Sequence, residues 1–357
     1  MNAMAVRQSM SETFRHWADR WRAPARPRPV RRLSLALQGG GSYGAFTWGV
    51  LDRLLEDDDI LIDAVSGTSA GAVNAVVMAS GLARGGRAAA REALTRFWRQ
   101  ASTRGSLSPV TESFMPPFAG AARMAFDLSS RLFSPYQTNP LDLNPLRDIL
   151  AEAIDFEALR RRSPVRLLIA ATHVNEGHTR TFTERDLTLN AVLASTCLPL
   201  LHRAVEVDGE WYWDGGYTAN PPLLALIATS RAPDLLIVQL TPMRGTELPT
   251  TSPQIVRRLN QISFNAPLLR ELDALATLGS LYGRTLALLS PMARRLRRLR
   301  LHRIAAENEF AELDRANPMS LDWPFLVRLR DAGRAAADDW LAQSFGDAVE
   351  TPSLAAT

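Results

Sequence analysis

The feature that most constrains the fold is a pair of similar units near the start of the chain. Each unit is an apolar run, then a glycine-containing turn, then a helix-like stretch. Residues 33–38, 39–44 and 45–56 form the first unit, and residues 60–66 and 70–82 repeat the run and the helix. Alternating strands and helices predict an α/β fold with a parallel-type central sheet sandwiched by helices.

A serine stands in the second turn. Ser69 is at the centre of a G-x-S-x-G sequence that begins at Gly67 and ends at Gly71. Between a strand and a helix, this sequence is typical of a nucleophile elbow, in which the glycines leave room for neighbouring backbone. The helix N-terminus then presents free N–H groups to the reacting centre. We predict that Ser69 is a nucleophile; a glycine-rich turn with an N-capping hydroxyl is the alternative.

The first turn contains three successive glycines, Gly39, Gly40 and Gly41, and then Gly44. The N–H groups of such a loop converge on an anion, which in acyl transfer is the tetrahedral oxyanion. We therefore predict an oxyanion hole built from the amides of the three successive glycines. The loop also matches the dinucleotide fingerprint G-x-G-x-x-G, but that site needs an acidic residue at the end of the next strand, which this chain lacks.

A candidate general base follows a hairpin predicted at residues 205–213. Asp214 comes directly after it and is followed by Gly215 and Gly216, which let a carboxylate reach into a site without steric clash. A carboxylate is a weak base unless its surroundings raise its pKa, usually by desolvation. We predict that Asp214 accepts the proton of Ser69; an ordinary Asp-Gly-Gly turn is the alternative.

A Ser-His-Asp triad would need a histidine, and none of the five histidines is flanked by a motif. The order Ser69, Asp214, His302 agrees with that of α/β-hydrolases, whose elbow normally follows several strands. Here Ser69 follows only the second strand. The five histidines are His16, His173, His178, His202 and His302.

Composition excludes several other chemistries. Cys197 is the single cysteine, so the chain forms no internal disulfide and no multi-cysteine metal site. All 41 basic residues are arginines, which excludes Schiff-base chemistry on a lysine. The sequence contains no cluster with metal-ligand spacing, and we expect neither a metal nor a cofactor.

Positive charge is concentrated outside these motifs. The formal net charge is +4, yet residues 1–32 carry eight arginines against two acids, and residues 294–303 carry six arginines. We expect these segments to attract an anionic membrane surface. A solvated helix face that pairs with the acidic residues of 304–357 is the alternative. We expect no nucleic-acid partner, because few aromatics are interleaved with the arginines.

The longest uncharged run, residues 64–83, is too polar for a membrane-spanning helix. The N-terminus lacks the apolar core of a secretory signal. We expect a cytoplasmic protein that is peripheral at the inner face of a membrane.

Together, the motifs resemble those of the patatin-like phospholipases. The resemblance covers about residues 33–245 and rests on the glycine loop, the elbow and the Asp-Gly-Gly sequence. Residues 194–199 and the Asp208-Gly209 turn also look like the family's approach to its catalytic Asp. It implies a patatin-like α/β fold, a Ser–Asp dyad without histidine, an oxyanion hole from the glycine loop, and hydrolysis of acyl esters in lipids.

One position departs from the family pattern. Many members carry Arg or Lys where this chain has Tyr43, which leaves the headgroup preference open. An esterase, thioesterase or polyester depolymerase of the same mechanism is the closest alternative. A catalytically silent regulator that binds anionic membranes is a second alternative. An irregular segment, residues 103–140, is a candidate acyl channel or a packing segment; its aromatic residues include Phe114, Phe118, Phe126 and Phe133.

The resemblance divides the chain into four segments. They are a basic, partly disordered arm (1–31), a patatin-like catalytic domain (32–245), a helical C-terminal extension (246–345) and a flexible tail (346–357). Within the extension, apolar residues at spacings of three and four predict an amphipathic helix whose apolar stripe is buried against the core; a stripe that lies on the bilayer is the alternative. The stripe consists of Leu259, Ile262, Ala266, Leu269, Leu272 and Ala276.

Overall fold

The computed structural model describes residues 30–105, 134–245, 248–281, 291–306 and 320–345. Nearly all of the predicted arm and the whole predicted tail lie outside the described residues. So does most of the segment 103–140, including all four of its named phenylalanines.

A mixed sheet forms the centre of the described fold. Its strands are β1 (Arg31–Leu37), β2 (Ile60–Gly67), β3 (Arg166–His173), β4 (Thr179–Thr183), β5 (Val205–Val207), β6 (Glu210–Asp214), β7 (Asp234–Gln239) and β8 (Arg300–Ala305). Hydrogen bonding connects them in the order β5-β6-β3-β2-β1-β7-β8, and β4 also pairs with β3. The run from β3 to β8 is parallel, whereas β4, β5 and β6 pair antiparallel.

Helices cover both faces of this sheet, as predicted. They are α1 (Gly44–Leu54), α2 (Ala70–Gly105), α3 (Pro135–Thr138), α4 (Pro145–Ala153), α5 (Phe156–Arg162), α6 (Leu189–Ser195), α7 (Leu223–Thr229), α8 (Ser252–Leu281), α9 (Pro291–Arg298) and α10 (Trp323–Phe345). One buried apolar cluster contains side chains of α1, α2, α6 and α10. The other lies under α7, α8 and α9. The α/β prediction is therefore confirmed.

The C-terminal extension contains a strand as well as helices. β8 pairs with β7 in parallel register from Asp234↔Arg300 to Gln239↔Ala305. The basic run at residues 294–303 is therefore part helix and part strand. This strand shows no apolar pattern in the sequence, because only Ile304 among its residues is buried, as suits the edge of a sheet.

The last helix packs closely against the first. A Cβ added at Gly333 of α10 would collide with the carbonyl oxygen of Phe46 on α1, and one added at Gly49 would collide with that of Arg330. Only glycine permits this approach of two helix backbones. α10 thus supports the helix that begins directly after the glycine loop.

The prediction of a buried stripe on α8 is wrong for its outer residues. Leu259 is 57% exposed, and Ile262 and Leu269 are also exposed. Leu268 and Leu275 are buried instead. The spacing of the apolar residues predicted the helix correctly. However, α8 has a second apolar face, which also carries the polar residue Asn265, and this second face packs against the sheet. Within the described residues, no helix has the length and apolar composition needed to span a membrane.

Candidate active site

The turn between β2 and α2 has the geometry of a nucleophile elbow. Ser69 has φ 54°, in the left-handed region that a non-glycine residue adopts only at a cost. A Cβ on Gly67 would lie 2.7 Å from the Gly71 carbonyl oxygen, and one on Gly71 would collide with that of Leu37. Steric crowding therefore accounts for both glycines of the G-x-S-x-G sequence.

Residues far away in sequence hold this turn in place. The Ser69 amide donates to Oγ of the buried Ser195 at 3.1 Å. The Thr68 hydroxyl donates to the Ala219 carbonyl oxygen at 2.7 Å. Ser195 belongs to a segment that resembles the family, but its contact with the elbow was not predicted.

Strand register brings Asp214 next to the elbow. On β3, Gly67 of β2 stands opposite Ile169, and Asp214 of β6 stands opposite Ala171. Because β4 occupies the other edge of β3, both β2 and β6 lie along the same edge. The Asp214 backbone is fixed there, since its amide donates to the Cys197 carbonyl at 2.7 Å.

The Asp214 carboxyl is completely buried. Burial raises its pKa to about 7, although the hydrogen bond from the Gly216 amide and the nearby Ser69 hydroxyl oppose the increase. Oδ1 accepts from the Gly216 amide at 2.7 Å, while Oδ2 has no hydrogen-bond partner among the described residues. A buried carboxyl with an open oxygen beside a serine hydroxyl is arranged to accept a proton near neutral pH.

The glycine loop lies directly against the serine. A Cβ on Gly39 would be 2.8 Å from the Ser69 Cβ, and Gly41 has φ 59°, which favours glycine. The Gly39 amide donates to Asn220 Oδ1 at 2.8 Å. This differs from the expectation that all three successive glycines are free donors. The amides of Gly40 and Gly41 have no acceptor among the described residues.

The other motif glycines are required by packing. A Cβ on Gly44 would lie 2.7 Å from the Ala70 Cβ, where α1 and α2 begin side by side. One on Gly216 would lie 2.5 Å from the Phe264 ring. One on Gly215 would collide with the Ala170 carbonyl of β3.

Two buried polar side chains that the sequence analysis missed connect the loop to α8. Asn220 accepts from Gly39 and donates to the Phe264 carbonyl at 3.0 Å. Gln38 donates to Asn265 Oδ1 at 2.8 Å and accepts from the amides of Leu240 and Thr241. Gln38 could have been noticed in the sequence because it is a polar residue at the end of a buried apolar strand. The only sequence signal for Asn220 is its position shortly after Asp214.

Comparison with known protein families identifies this arrangement. The family described as patatin-like phospholipase matches residues 35–227, more than half of the chain, and the match includes the loop, the elbow and Asp214. The chain belongs to the patatin-like phospholipase family. Membership supports a lipid acyl hydrolase.

Two structural neighbours of this patatin-like chain are bacterial proteins. The alignment with VipD from Legionella pneumophila covers 88% of this chain and 67% of the VipD chain, with 14% sequence identity and a TM-score of 0.42. The alignment with ExoU from the type III secretion system of Pseudomonas aeruginosa, whose structure was solved in complex with SpcU, covers 90% of this chain and 70% of the ExoU chain. The sequence identity is 18% and the TM-score is 0.31. No curated protein matches the chain by sequence.

At the position where many patatin-like proteins carry a cation, this chain has an aromatic contact. The Tyr43 ring packs edge-on against Phe325 of α10, with 6.5 Å between ring centroids. The residue departing from the family pattern is thus in contact with the C-terminal extension.

The four histidines that the structure describes do not form a triad with Ser69 and Asp214. His302 is 2.8 Å from Asp234 at the start of β7, so the triad ending in His302 is not assembled. No histidine is a hydrogen-bond partner of Ser69 or Asp214 within the described part of the chain. His16 lies outside that part.

One group of residues that the sequence spacing did not single out could hold a metal ion. His173, Glu176 and His178 each offer a ligand atom, and these atoms lie within 4.8 Å of one another. The residues are close in sequence, but their irregular spacing matches no common metal motif, and only the turn after β3 brings the side chains together.

Proposed function

We propose that this patatin-like protein hydrolyses acyl esters of lipids with Ser69 as nucleophile and Asp214 as general base. The observation that supports the proposal most strongly is the state of Asp214. Its carboxyl is buried beside the Ser69 hydroxyl, and burial raises its pKa to about 7. At that pKa a carboxylate is a much stronger base than an exposed aspartate.

The reaction takes two acyl-transfer steps. Asp214 accepts the Ser69 proton as Oγ attacks the ester carbonyl, and the oxyanion accepts hydrogen bonds from the amides of Gly40 and Gly41. Collapse of the tetrahedral intermediate breaks the ester bond, and the alcohol leaves with the proton held by Asp214. Water then attacks the acyl-enzyme while Asp214 takes its proton, and the ester bond to Ser69 breaks, which releases the fatty acid. Asp214 returns the proton to Ser69 Oγ, which restores the hydroxyl. Gly39 would join the oxyanion hole only if its amide left Asn220.

A lipid-hydrolysis screen of the wild type and Ser69→Ala tests the nucleophile. The substrates are phospholipids, neutral glycerides, short-chain esters, acyl thioesters and a polyester. We expect release of fatty acid from lipids by the wild type and its loss in Ser69→Ala, with the folded state checked by circular dichroism. Substantial turnover in folded Ser69→Ala would reject the nucleophile. Activity confined to thioesters, polyester or short esters would favour a thioesterase, polyester depolymerase or esterase. A complete lack of activity would favour the catalytically silent regulator.

Histidine variants test the dyad. A dyad enzyme retains its catalysis when each of the five histidines is replaced in turn by glutamine, because no histidine handles the proton. A loss of activity in a folded His302→Gln variant would restore the triad interpretation.

We also propose that the protein attaches to the anionic inner face of a membrane and is otherwise cytoplasmic. The exposed arginines Arg294, Arg297 and Arg298 on α9 support this, as do the exposed apolar residues of α8. An arginine near such a surface contributes about 1 kcal/mol. Binding to anionic liposomes should weaken in Arg297→Gln/Arg298→Gln and at high salt, but not in the control Arg161→Gln. Equal binding to neutral liposomes would contradict the electrostatic attachment.

A further inference from the structure

The turn between β3 and β4 brings together two histidines and two glutamates away from Ser69. We propose that His173, Glu176 and His178 form a binding site for a divalent transition-metal ion such as Zn²⁺. Glu210, on the neighbouring strand β6, supports the site through His173. This site has no part in the acyl-transfer steps, and its existence does not depend on them.

The backbone of the turn is well fixed. The His173 amide donates to the His178 carbonyl at 2.9 Å, and the Gly177 amide donates to the His173 carbonyl at 2.9 Å. Gly177 has φ 66°, which lets the chain reverse tightly. These bonds join the residues that carry the ligands. The turn would therefore lose little backbone entropy when an ion binds.

His173 has the arrangement of a supported metal ligand. Its ring is almost completely buried, and Nε2 lies 3.0 Å from Glu210 Oε2. Nδ1 accepts the Glu176 amide at 3.2 Å, so Nε2 carries the proton and donates it to Glu210. Metal-bound histidines usually donate their second N–H to a carboxylate in this way. An ion at Nδ1 would replace only the long amide contact.

The other two ligands are exposed and free to adjust. His178 Nδ1 lies 2.9 Å from Glu176 Oε2, and both side chains are more than half exposed. The His178 ring stacks on His173 at an angle of 8°, with 5.1 Å between centroids. The three ligand atoms lie within 4.8 Å of one another, so rotation of the two exposed side chains would bring them onto one ion, with water completing the coordination.

The donor set indicates which ion would bind. Two imidazoles and one carboxylate suit Zn²⁺, Co²⁺ or Ni²⁺, whereas Ca²⁺ and Mg²⁺ prefer oxygen ligands. Three protein ligands with one open position are a common zinc arrangement. The ion would fasten the end of β3, where the neighbouring Thr172 hydroxyl donates to the Asp214 carbonyl at 2.8 Å. Binding should therefore raise the melting temperature.

The test uses the full chain without a histidine tag, titrated with Zn²⁺ in a calorimeter and with Co²⁺ by visible absorption. We expect one ion per chain, a Co²⁺ spectrum showing nitrogen ligation, and a higher melting temperature with Zn²⁺. His178→Ala and Glu176→Gln should each weaken binding at least about tenfold, and Glu210→Gln by about 10–100-fold. Glu206→Gln, on the neighbouring strand β5, is the matched control and should bind like the wild type.

Two results would overturn the site. One is the absence of saturable binding by the wild type at micromolar Zn²⁺ and Co²⁺. The other is binding that both exposed-ligand variants retain unchanged. Circular dichroism confirms folding, and because Glu176 and His178 are exposed, at least one of their variants should fold normally.

Discussion

The two ends of the central sheet shift the pKa values of aspartates in opposite directions. At the carboxyl end, Asp214 is buried without a cation, and burial raises its pKa to about 7. At the amino end, Asp63 and Asp234 are less completely buried and lie beside arginines, and their pKa values are lowered. The same side chain is thus a base at one end and a permanent anion at the other.

The amino end achieves this with hydrogen bonds and arginines. Burial raises the pKa of Asp63, but the Arg231 amide, the Ser230 hydroxyl and the Arg166 guanidinium outweigh it. Burial likewise raises the pKa of Asp234, and bonds from His302 and Arg300 outweigh it. Arg166 and Arg300 each begin a strand, so the parallel sheet itself lines them up with the acids.

This difference agrees with the chemistry of the proposed reaction. Arginines stabilise the end of the sheet that does no chemistry, whereas the proposed reaction needs a carboxyl that no cation neutralises. Activity should therefore depend on Asp214 and not on Asp234, whereas stability should respond to the two aspartates with opposite signs; the following changes test that separation.

The largest expected effect is on catalysis. Asp214→Asn removes the proposed base and should lower kcat/KM for a lipid ester about 10²–10⁴-fold. Asp234→Asn should retain activity close to that of the wild type per folded molecule. Initial rates with active-site titration measure both. Comparable losses in the two folded variants would remove the distinction between the ends of the sheet.

The pH dependence of the wild type should show the raised pKa of Asp214. Only the ionised carboxylate accepts a proton, so kcat/KM should fall about tenfold per pH unit below pH 7 and level off above it. A stopped assay with a substrate that does not titrate in this range gives the profile. A profile flat from pH 5 to pH 9 would exclude Asp214 as the base.

Stability should change in opposite directions for the two aspartates. Ionised Asp214 is unfavourable in the folded state, because its folded pKa is above its unfolded one. This cost grows as pH rises from about 4 to 7. Asp214→Asn should therefore increase the free energy of unfolding above pH 7, by up to roughly 4 kcal/mol, with the gain vanishing near pH 4.

Asp234 has the reverse sign. Its folded pKa is below the unfolded one, so its contribution is present above about pH 4 and is lost as pH falls through the lowered value. Asp234→Asn should lower the free energy of unfolding by about 1–3 kcal/mol at pH 7, and by less in acid. Urea unfolding at several pH values measures both variants. Equal pH slopes for the two would contradict the electrostatic comparison.

The smallest expected effect concerns the support of the glycine loop. Asn220→Ala leaves the Gly39 amide and the Phe264 carbonyl without their partner, which costs about 1–3 kcal/mol. We expect kcat to fall more than KM rises, since the loop faces the transition state. Asn190→Ala, at an asparagine on α6, is the control. A rise in KM alone would assign Asn220 to substrate binding.

Local patterns in the sequence were enough to predict the α/β fold and the motifs. Apolar runs and glycine turns depend on neighbours within a few residues, so the elbow at Ser69 and the loop at Gly39 were visible as such. Asp214 was visible through its glycines. The roles of these residues in the reaction stay predictions until the variants are measured.

Only the tertiary structure decided what surrounds those motifs. The Gly39–Asn220 bond joins residues 181 positions apart, and the Gln38–Asn265 bond joins residues 227 apart. Packing likewise decides which face of α8 is buried and where β8 joins the sheet. It also brings the ligand atoms of His173 and His178 within 4.8 Å of each other. Sequence patterns record the local preferences of the backbone, whereas a buried polar bond exists only once two distant segments have excluded water together.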